Sequence, residues 1–337
     1  MRTQTTWRTI SSLALLIYAT AVSAADPWVV FPGGDGPGKG KHIVLIAGDE
    51  EYRSEEAMPM LGKLLSVRHG FKCTVLFSIN PQDGTIDPVN QKNIPGLENL
   101  QTADLMIIAT RFRELPDEQM QHVDQYVNSG RPIIGLRTAT HAFKFEANST
   151  SRYKQYHFRS TEWPGGFGQQ VLGETWVNHH GHHKVESTRG MINPAQKNNP
   201  ILKGVEDVWG PTDVYTVANL PETATVLLYG QVLTGMNPSD PPLAGKKNDP
   251  MMPLAWTRTF TGRSGKPSKV FCTTMGASVD LACEDLRRLI VNAAYWAVDL
   301  EDKIPARADA RTVGDFKPTF YGFGQFKPGV KPSDHAL

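Results

Sequence analysis

The segment 131–141 lacks the serine or cysteine that a sharp turn of its kind carries in enzymes with a covalent intermediate. Ile133 to Leu136 form an apolar run that predicts a buried strand, and the small residues after it suit a strand-to-helix turn that presents its apex side chain to solvent. The apex is Arg137, which has no removable proton and acts as a fork for anions. The sequence therefore excludes a glutaminase that uses a nucleophile here.

Three other catalytic or cofactor motifs are also missing. No G-x-G-x-x-G follows the first predicted strand, where Asp49, Glu50 and Glu51 would instead repel a pyrophosphate. The chain has no G-x-S-x-G for a serine hydrolase and no His-Glu-x-x-His for zinc. We therefore predict no cofactor.

The chain contains few cysteines and has a formal net charge close to zero. The three cysteines, Cys73, Cys272 and Cys283, are too few and too scattered for a disulfide framework, and buried thiols explain them. The formal charge is +1, which gives no electrostatic footprint for nucleic acid. The expected partner is small and not strongly charged.

The first 25 residues have the pattern of a secretory signal peptide. Arg2 and Arg8 precede an apolar stretch around Leu13 to Tyr18, and small residues then predict cleavage after Ala24 or Ala25. The stretch is shorter than the roughly 20 residues that a membrane span needs. We expect a secreted or periplasmic protein with no membrane segment after cleavage. Its formal charge falls from +1 to −1 because both arginines are lost.

The middle of the chain alternates strands and helices. A Gly/Pro-rich leader, 26–40, is expected to hold no regular element. Apolar runs then predict strands at 42–48, 73–77, 104–109, 132–136, 213–218, 225–229, 253–260 and 269–274. Apolar periodicity predicts helices at 54–69, 116–128 and 283–300. This rhythm predicts an α/β fold at 41–302 with a flavodoxin-like, doubly wound, mostly parallel sheet and helices on both faces.

Two segments fall outside this rhythm. Residues 142–207 are polar, aromatic and Gly-rich with little periodicity, and we expect them to form the lid side of a site. Residues 303–337 repeat Phe-Lys-Pro at Phe316 and Phe326, and we expect a tail that follows the surface.

Polar side chains follow several predicted strands and should meet at one edge of the sheet. Carboxylates, guanidiniums, hydroxyls and aromatics together suit a ligand that resembles a sugar. The predicted catalytic residues are His141, His180 and Asp213. The predicted substrate-binding residues are Glu50, Tyr52, Arg111, Arg137, Thr138, His179, Tyr215, Trp256 and Thr274.

Each of these assignments has a structural alternative. The carboxylates of residues 49–56 would also complement a helix dipole, and Arg111 could be a solvated loop charge. His141 could cap its helix, and Trp256 could pack at the edge of the core.

Four histidines lie within residues 179–183. Histidine nitrogens bind zinc and similar ions, so His180, His182 and His183 form an alternative metal site. In a strand, however, His180 and His182 would share one face and His179 and His183 the other. We therefore favour imidazoles that bind substrate or transfer protons, and we predict no metal.

The motifs together resemble those of the trehalose-utilisation (ThuA-like) family, within the class I glutamine-amidotransferase-like superfamily. The resemblance rests on Gly48-Asp-Glu-Glu-Tyr-Arg53, on Gly130-Arg-Pro-Ile-Ile-Gly-Leu136 with His141-Ala-Phe143, on Leu172-Gly-Glu-Thr-Trp-Val-Asn-His-His180, and on Pro253-Leu-Ala-Trp-Thr-Arg258. It implies a flavodoxin-like core and a role with disaccharides or their oxidised derivatives. The chain departs from the family pattern at Arg137, where relatives often have histidine.

Three hypotheses remain open at this point. The first is a carbohydrate-active hydrolase or isomerase that uses acid/base chemistry without a covalent nucleophile, with a sugar or sugar derivative as its ligand. The second is a non-catalytic sugar-binding module on the same scaffold. The third is a metal-dependent hydrolase that uses the histidines of residues 179–183. The sequence predicts no oligomeric state.

Overall fold

The computed structural model describes residues 26–337, so the predicted signal peptide lies outside the described residues. This part of the chain contains one sheet and three α-helices. The strands are β1 (Trp28–Phe31), β2 (His42–Gly48), β3 (Lys72–Phe77), β4 (Leu105–Thr110), β5 (Ile133–Leu136), β6 (Thr188–Ile192), β7 (Val208–Gly210), β8 (Thr225–Val232), β9 (Met252–Thr261) and β10 (Pro267–Thr273). The helices are α1 (Ser54–His69), α2 (Asp117–Val127) and α3 (Glu284–Ala297).

Five parallel strands form the centre of the sheet in the order β3-β2-β4-β5-β10. This is the flavodoxin-like order, because the chain steps to one side from β2 to β3 and then crosses back to β4. The strands from β2 to β5 are apolar and almost completely buried, as expected for strands covered on both faces. The predicted α/β fold class is confirmed.

Helices cover both faces of the sheet. Side chains of α1 and α3 pack with Ile43, Leu45 and Ile134 on one face, whereas α2 packs against Val44 and Met106 on the other. Helix α1 begins at Ser54, as predicted, with two acidic residues in its first turn, and ends before Gly70 at φ 82°.

Antiparallel strands extend the sheet at both edges. β9, β8, β6 and β7 continue it beyond β10, and β1 pairs with β3 at the opposite edge. Residues 28–31 thus correct the expectation that the leader holds no regular element, because their four apolar residues pair along β3. β6 lies within the region that we expected to lack periodicity.

The strand predicted at 213–218 is wrong. This segment pairs instead with the histidine segment, through an isolated bridge between Tyr215 and His179. The amide groups of His180 and Gly181 both donate to the carbonyl of Val214. Asp213 is therefore brought beside the histidines by pairing outside the sheet.

The C-terminal segment 303–337 follows a short 3₁₀ turn at 301–303 and contains another at 332–335. It follows the surface as expected, but Ile304, Ala308 and Tyr321 are buried against the domain. Across residues 26–337, no helix is long and apolar enough to cross a membrane.

Candidate functional site

The turn after β5 has the predicted sharp geometry. Arg137 adopts φ 46°, a left-handed conformation that is uncommon for a residue with a side chain, and its amide donates to the carbonyl of Met275 at 3.1 Å. A 3₁₀ turn follows from Arg137 to His141. The side chain is not presented to solvent, contrary to expectation, because only 1% of Arg137 is exposed.

The guanidinium of Arg137 is held inside the protein. Its Nη1 donates to the carbonyl of Asp213 at 2.6 Å and to the carbonyl of Thr274 at 2.7 Å. The rings of Tyr52 and Tyr215 both pack near it, with centroids 4.5 and 4.0 Å from Cζ. Arg137 therefore joins the end of β10 to the segment that carries Asp213, beneath the rim of the sheet.

Asp213 is the centre of the polar cluster. Its Oδ2 lies 2.6 Å from Nδ1 of His179, and its Oδ1 lies 3.0 Å from Nδ1 of His183. Nη2 of Arg137 lies 3.4 Å from the same Oδ1. Burial alone would raise the pKa of Asp213, but the two imidazoles and the guanidinium hold it well below its usual value. Asp213 is therefore ionised at neutral pH.

His179 has one ring nitrogen bound and one available. Because the ionised Asp213 can only accept, Nδ1 of His179 donates the hydrogen bond that joins them, and Nε2 has no hydrogen-bond partner among residues 26–337. The side chain of His179 is 34% exposed, the largest exposed fraction in this cluster. This is the arrangement of a carboxylate that orients a histidine for proton transfer.

His183 is shared between two carboxylates. Its Nδ1 faces Asp213, and its Nε2 lies 3.4 Å from Oε1 of Glu51. Hydrogen bonds to Asp213 and Glu51 raise the pKa of His183 to about 8, although burial opposes this. His183 therefore carries positive charge at neutral pH and fixes the position of both carboxylates.

A layer of paired charges supports this cluster from below. Glu50 pairs with Arg111 and Arg113, and the hydroxyl of Thr138 donates to Asp49 at 2.6 Å. Four carboxylates and four guanidiniums meet here, at Asp49, Glu50, Glu51 and Asp213 and at Arg53, Arg111, Arg113 and Arg137. With the protonated His183 included, these groups have a formal charge of +1, but carboxylates already pair with Arg111, Arg113 and Arg137, which favours a ligand without strong negative charge.

Aromatic side chains surround the exposed face of His179. The ring of Trp176 is partly exposed and lies 5.9 Å from that of His179. The ring centroid of Trp176 also lies 5.3 Å from that of His141, and the centroid of Phe112 lies 5.0 Å from that of His141. Burial, together with the nearby charges of Arg111 and Arg137, holds the pKa of His141 well below its usual value. Trp176, His141 and Phe112 thus form an aromatic wall, in which His141 is neutral.

The predicted site residues fall into three groups. His179 and Arg111 are partly exposed at the rim, whereas others are buried beneath it, namely Glu50, Tyr52, Arg137, Thr138, His141, Asp213, Tyr215 and Thr274. Trp256 belongs to neither group. It is fully buried in the core with Nε1 bonded to the carbonyl of Leu172 at 2.7 Å, so it has no ring face to offer a ligand and its assignment to binding is corrected.

The alternative metal site of His180, His182 and His183 does not assemble. Nε2 of His180 donates a hydrogen bond to the carbonyl of Lys247 at 2.8 Å, and His182 is exposed. His180, predicted to be catalytic, does not lie beside Asp213, because its neighbour His179 takes that place. Within residues 26–337, the donors that converge are those of His179, His183 and Asp213, which lie within 4.8 Å of one another and could hold a metal ion.

Sequence reasoning missed several residues of the site. Trp176 and Glu51 lie in segments that the sequence analysis names, but no local sequence pattern distinguishes them as site residues from their neighbours. The tail was also missed. Tyr321 stacks on Tyr52 with centroids 5.2 Å apart, and its aromatic-rich sequence was the available signal.

Comparison with known proteins assigns most of the described residues to a family. The family model for ThuA, described as trehalose utilisation, matches residues 44–297. No curated protein sequence matches the chain.

Among solved structures, a ThuA-like protein from Parabacteroides merdae is 13% identical, with 84% of this chain and 97% of that one covered and a TM-score of 0.49. The exo-beta-1,4-mannosidase Op5Man5 from Opitutaceae bacterium strain TAV5 is 10% identical, with 76% and 35% covered and a TM-score of 0.34. With TM-scores below 0.5, neither similarity bears on function. The family match covers well over half of the sequence, and the chain belongs to the ThuA, or trehalose utilisation, family.

Proposed function

We propose that this protein binds an uncharged sugar or sugar derivative at the rim of the sheet and transfers a proton to or from it through His179. The observation that carries the proposal is the contact of 2.6 Å between Nδ1 of His179 and Oδ2 of Asp213. It leaves Nε2 of a partly exposed imidazole beside an aromatic wall, as the atom that exchanges the proton in this proposal. The acid/base chemistry needs no covalent nucleophile.

The surroundings of His179 favour a sugar over a charged ligand. Trp176 offers a ring face on which the C–H groups of a sugar ring can pack, and Arg111 and the carboxylates offer partners for hydroxyl groups. The guanidiniums are already paired with carboxylates, so little positive charge remains for a phosphate or a carboxylate ligand. The trehalose-utilisation family agrees with this class of ligand.

The test compares two neighbouring histidines. Purified wild-type protein, His179→Ala and the control His180→Ala are titrated with trehalose, other mono- and disaccharides and their oxidised derivatives, and the mixtures are analysed for products. We expect His179→Ala to bind within about threefold of wild type but to lose a factor of at least 10² in turnover. His180→Ala should match wild type, because its ring contacts the carbonyl of Lys247 instead.

Each result decides between the hypotheses. Turnover by His179→Ala at the wild-type rate would reject the proton-transfer role. Wild-type protein that binds sugars without any product would be a sugar-binding module. Wild-type protein that binds no sugar in the panel would reject the proposed function.

A metal-dependent hydrolase is the second candidate, favoured by the three donors within 4.8 Å at His179, His183 and Asp213. The contacts of Asp213 with His179 and His183 explain the same geometry without a metal. Elemental analysis of purified protein separates the two explanations. Stoichiometric metal, with activity lost on chelation and restored by the ion, would establish the second candidate, whereas active metal-free protein would reject it.

We propose in addition that the protein is exported and acts outside the cytoplasm. The charged start, apolar stretch and small residues of segment 1–25 support this. Sequencing the amino terminus of the mature protein tests it. Export predicts a chain that starts at Ala25 or Asp26, and a mature protein that retains Arg2 would contradict it.

A further inference from the structure

The C-terminal tail reaches the site and is fastened there at two points. The amide of Thr319 donates to Oε2 of Glu56 at 2.9 Å, and its hydroxyl donates to Oε1 of the same carboxylate at 2.6 Å. Three residues later, the amide of Gly322 donates to the carbonyl of Glu51 at 2.8 Å. These bonds hold residues 319–322 along the turn that carries the carboxylates of the site.

Tyr321 lies between these fastening points and is buried. Its ring stacks on Tyr52 at 5.2 Å and lies 5.3 Å from the ring of His183. Its hydroxyl donates to the carbonyl of Pro211 at 3.3 Å. A buried tyrosine with a bonded hydroxyl fixes the course of the tail, so the residues on either side have defined positions.

Phe323 follows this fixed segment and is 60% exposed. Cζ of Arg111 lies 5.1 Å from the centroid of the Phe323 ring and 4.4 Å from that of Phe112. Arg111 in turn pairs with Glu51, which contacts His183. Phe323 therefore stands at the rim on the side of Arg111 and Glu51, whereas Trp176 stands beside His179.

We infer that the tail supplies an outer subsite in which Phe323 packs against a second ring of the substrate. The inference rests on the proposed function. The acid/base cluster of His179, His183 and Asp213 borders a row of aromatic contacts that runs from Trp176 beside His179, through His141 and Phe112, to Arg111 and Phe323. A ligand with two linked sugar rings can extend along this row from Trp176 to Phe323, whereas a single ring contacts one end of it. The substrate class is thus a disaccharide or a glycoside with a ring-shaped second group.

This subsite belongs to a part of the chain outside the family match, which ends at residue 297. The buried charges and the histidines lie within the matched region, and the tail adds its aromatic residues afterwards. Phe323 is therefore a residue that determines which second ring is accepted, while proton transfer depends on the matched region.

The test uses Phe323→Ala with Phe320→Ala as the matched control. Phe320 is also in the tail and 48% exposed, but its ring stacks on Tyr321 at 4.3 Å and, within residues 26–337, forms no cation–π contact with Arg111. Affinities for trehalose, maltose and cellobiose are measured beside those for glucose, by calorimetry on the full purified chain. We expect Phe323→Ala to weaken the binding of at least one disaccharide about threefold to tenfold and that of glucose less than twofold. Phe320→Ala should change neither.

The outcomes separate this inference from the proposed function. If wild-type protein binds these sugars and Phe323→Ala weakens disaccharide and monosaccharide equally, or neither, the outer subsite is wrong and the proposed function stands. If wild-type protein binds none of the sugars, both fail. Because Phe323 is exposed, the variant is expected to fold, and an unchanged unfolding temperature verifies that.

Discussion

The ring of Tyr215 covers the guanidinium of Arg137, with 4.0 Å between the ring centroid and Cζ. The centroid of the Tyr52 ring lies 4.5 Å from the same Cζ, and Tyr321 stacks on Tyr52. Three aromatic rings and one guanidinium thus pack together beneath the rim. Cation–π contacts of desolvated arginine contribute about 2 kcal/mol or more, so this packing stabilises the inner wall of the site.

Replacing Arg137 with alanine should therefore destabilise the protein rather than only remove ligand binding. The variant leaves the carbonyls of Asp213 and Thr274 without this donor and removes the buried positive charge beside the Asp213 carboxylate. We expect a loss of about 3–5 kcal/mol in the free energy of unfolding, measured by urea denaturation. The control Arg152→Ala, at an exposed arginine, should change it by less than about 0.5 kcal/mol. Wild-type stability combined with lost sugar binding would instead support a direct grip on the ligand.

The two tryptophans should respond differently to truncation. Trp256→Ala removes a fully buried ring and should lower the free energy of unfolding by about 3–5 kcal/mol. Trp176→Ala removes a partly exposed ring next to His179 and should weaken sugar binding about threefold to tenfold while costing less stability. Urea denaturation and calorimetric titration of both variants measure the two effects. Equal losses of stability would show that Trp176 is a packing residue.

Docking of the last residues of the tail should depend on pH through His335. The ring stacks on Phe77 at 5.5 Å, and burial with the nearby charge of Lys63 lowers the pKa of His335 to about 4 from 6.5. Because the released tail binds the proton more strongly, docking is stabilised fully above about pH 6.5 and loses that stabilisation as the pH falls through 4. Hydrogen exchange of residues 326–337 should therefore speed up in acid relative to the core. His335→Phe, which keeps a ring on Phe77, should remove most of this pH dependence, and an unchanged dependence would assign it to another group.

The centre of the fold was predictable from the sequence because its strands are continuous apolar runs. β2, β4 and β5 are buried on both faces, so their pattern needs no knowledge of their neighbours. β1 and β7 contain four and three residues at the edges of the sheet, too few for a period to be recognised. Residues 213–218 have the composition of a strand, but they pair outside the sheet, which only the tertiary structure decides.

The candidate site was predictable in its residue types but not in its contacts. The sequence identified Asp213 and the histidines as candidate site residues. Whether His179 or His180 contacts Asp213 depends on which side of the histidine segment faces it. Trp176 and Trp256 have similar local surroundings in the sequence, yet one borders the rim and the other fills the core. Tyr321 stacks on Tyr52 although the two residues lie more than 260 positions apart in the sequence, and no local pattern encodes such a contact.

The left-handed turn at Arg137 limits how this scaffold can be converted to other chemistry. The backbone has the shape that exposes a nucleophile in other proteins, but here its apex lies under the rings of Tyr52 and Tyr215. A cysteine at this position would gain no access to substrate until those rings and the tail above them were also rebuilt. A change toward amidotransferase chemistry would thus need several substitutions at once, because Arg137, Tyr215, Tyr52 and Tyr321 pack on one another.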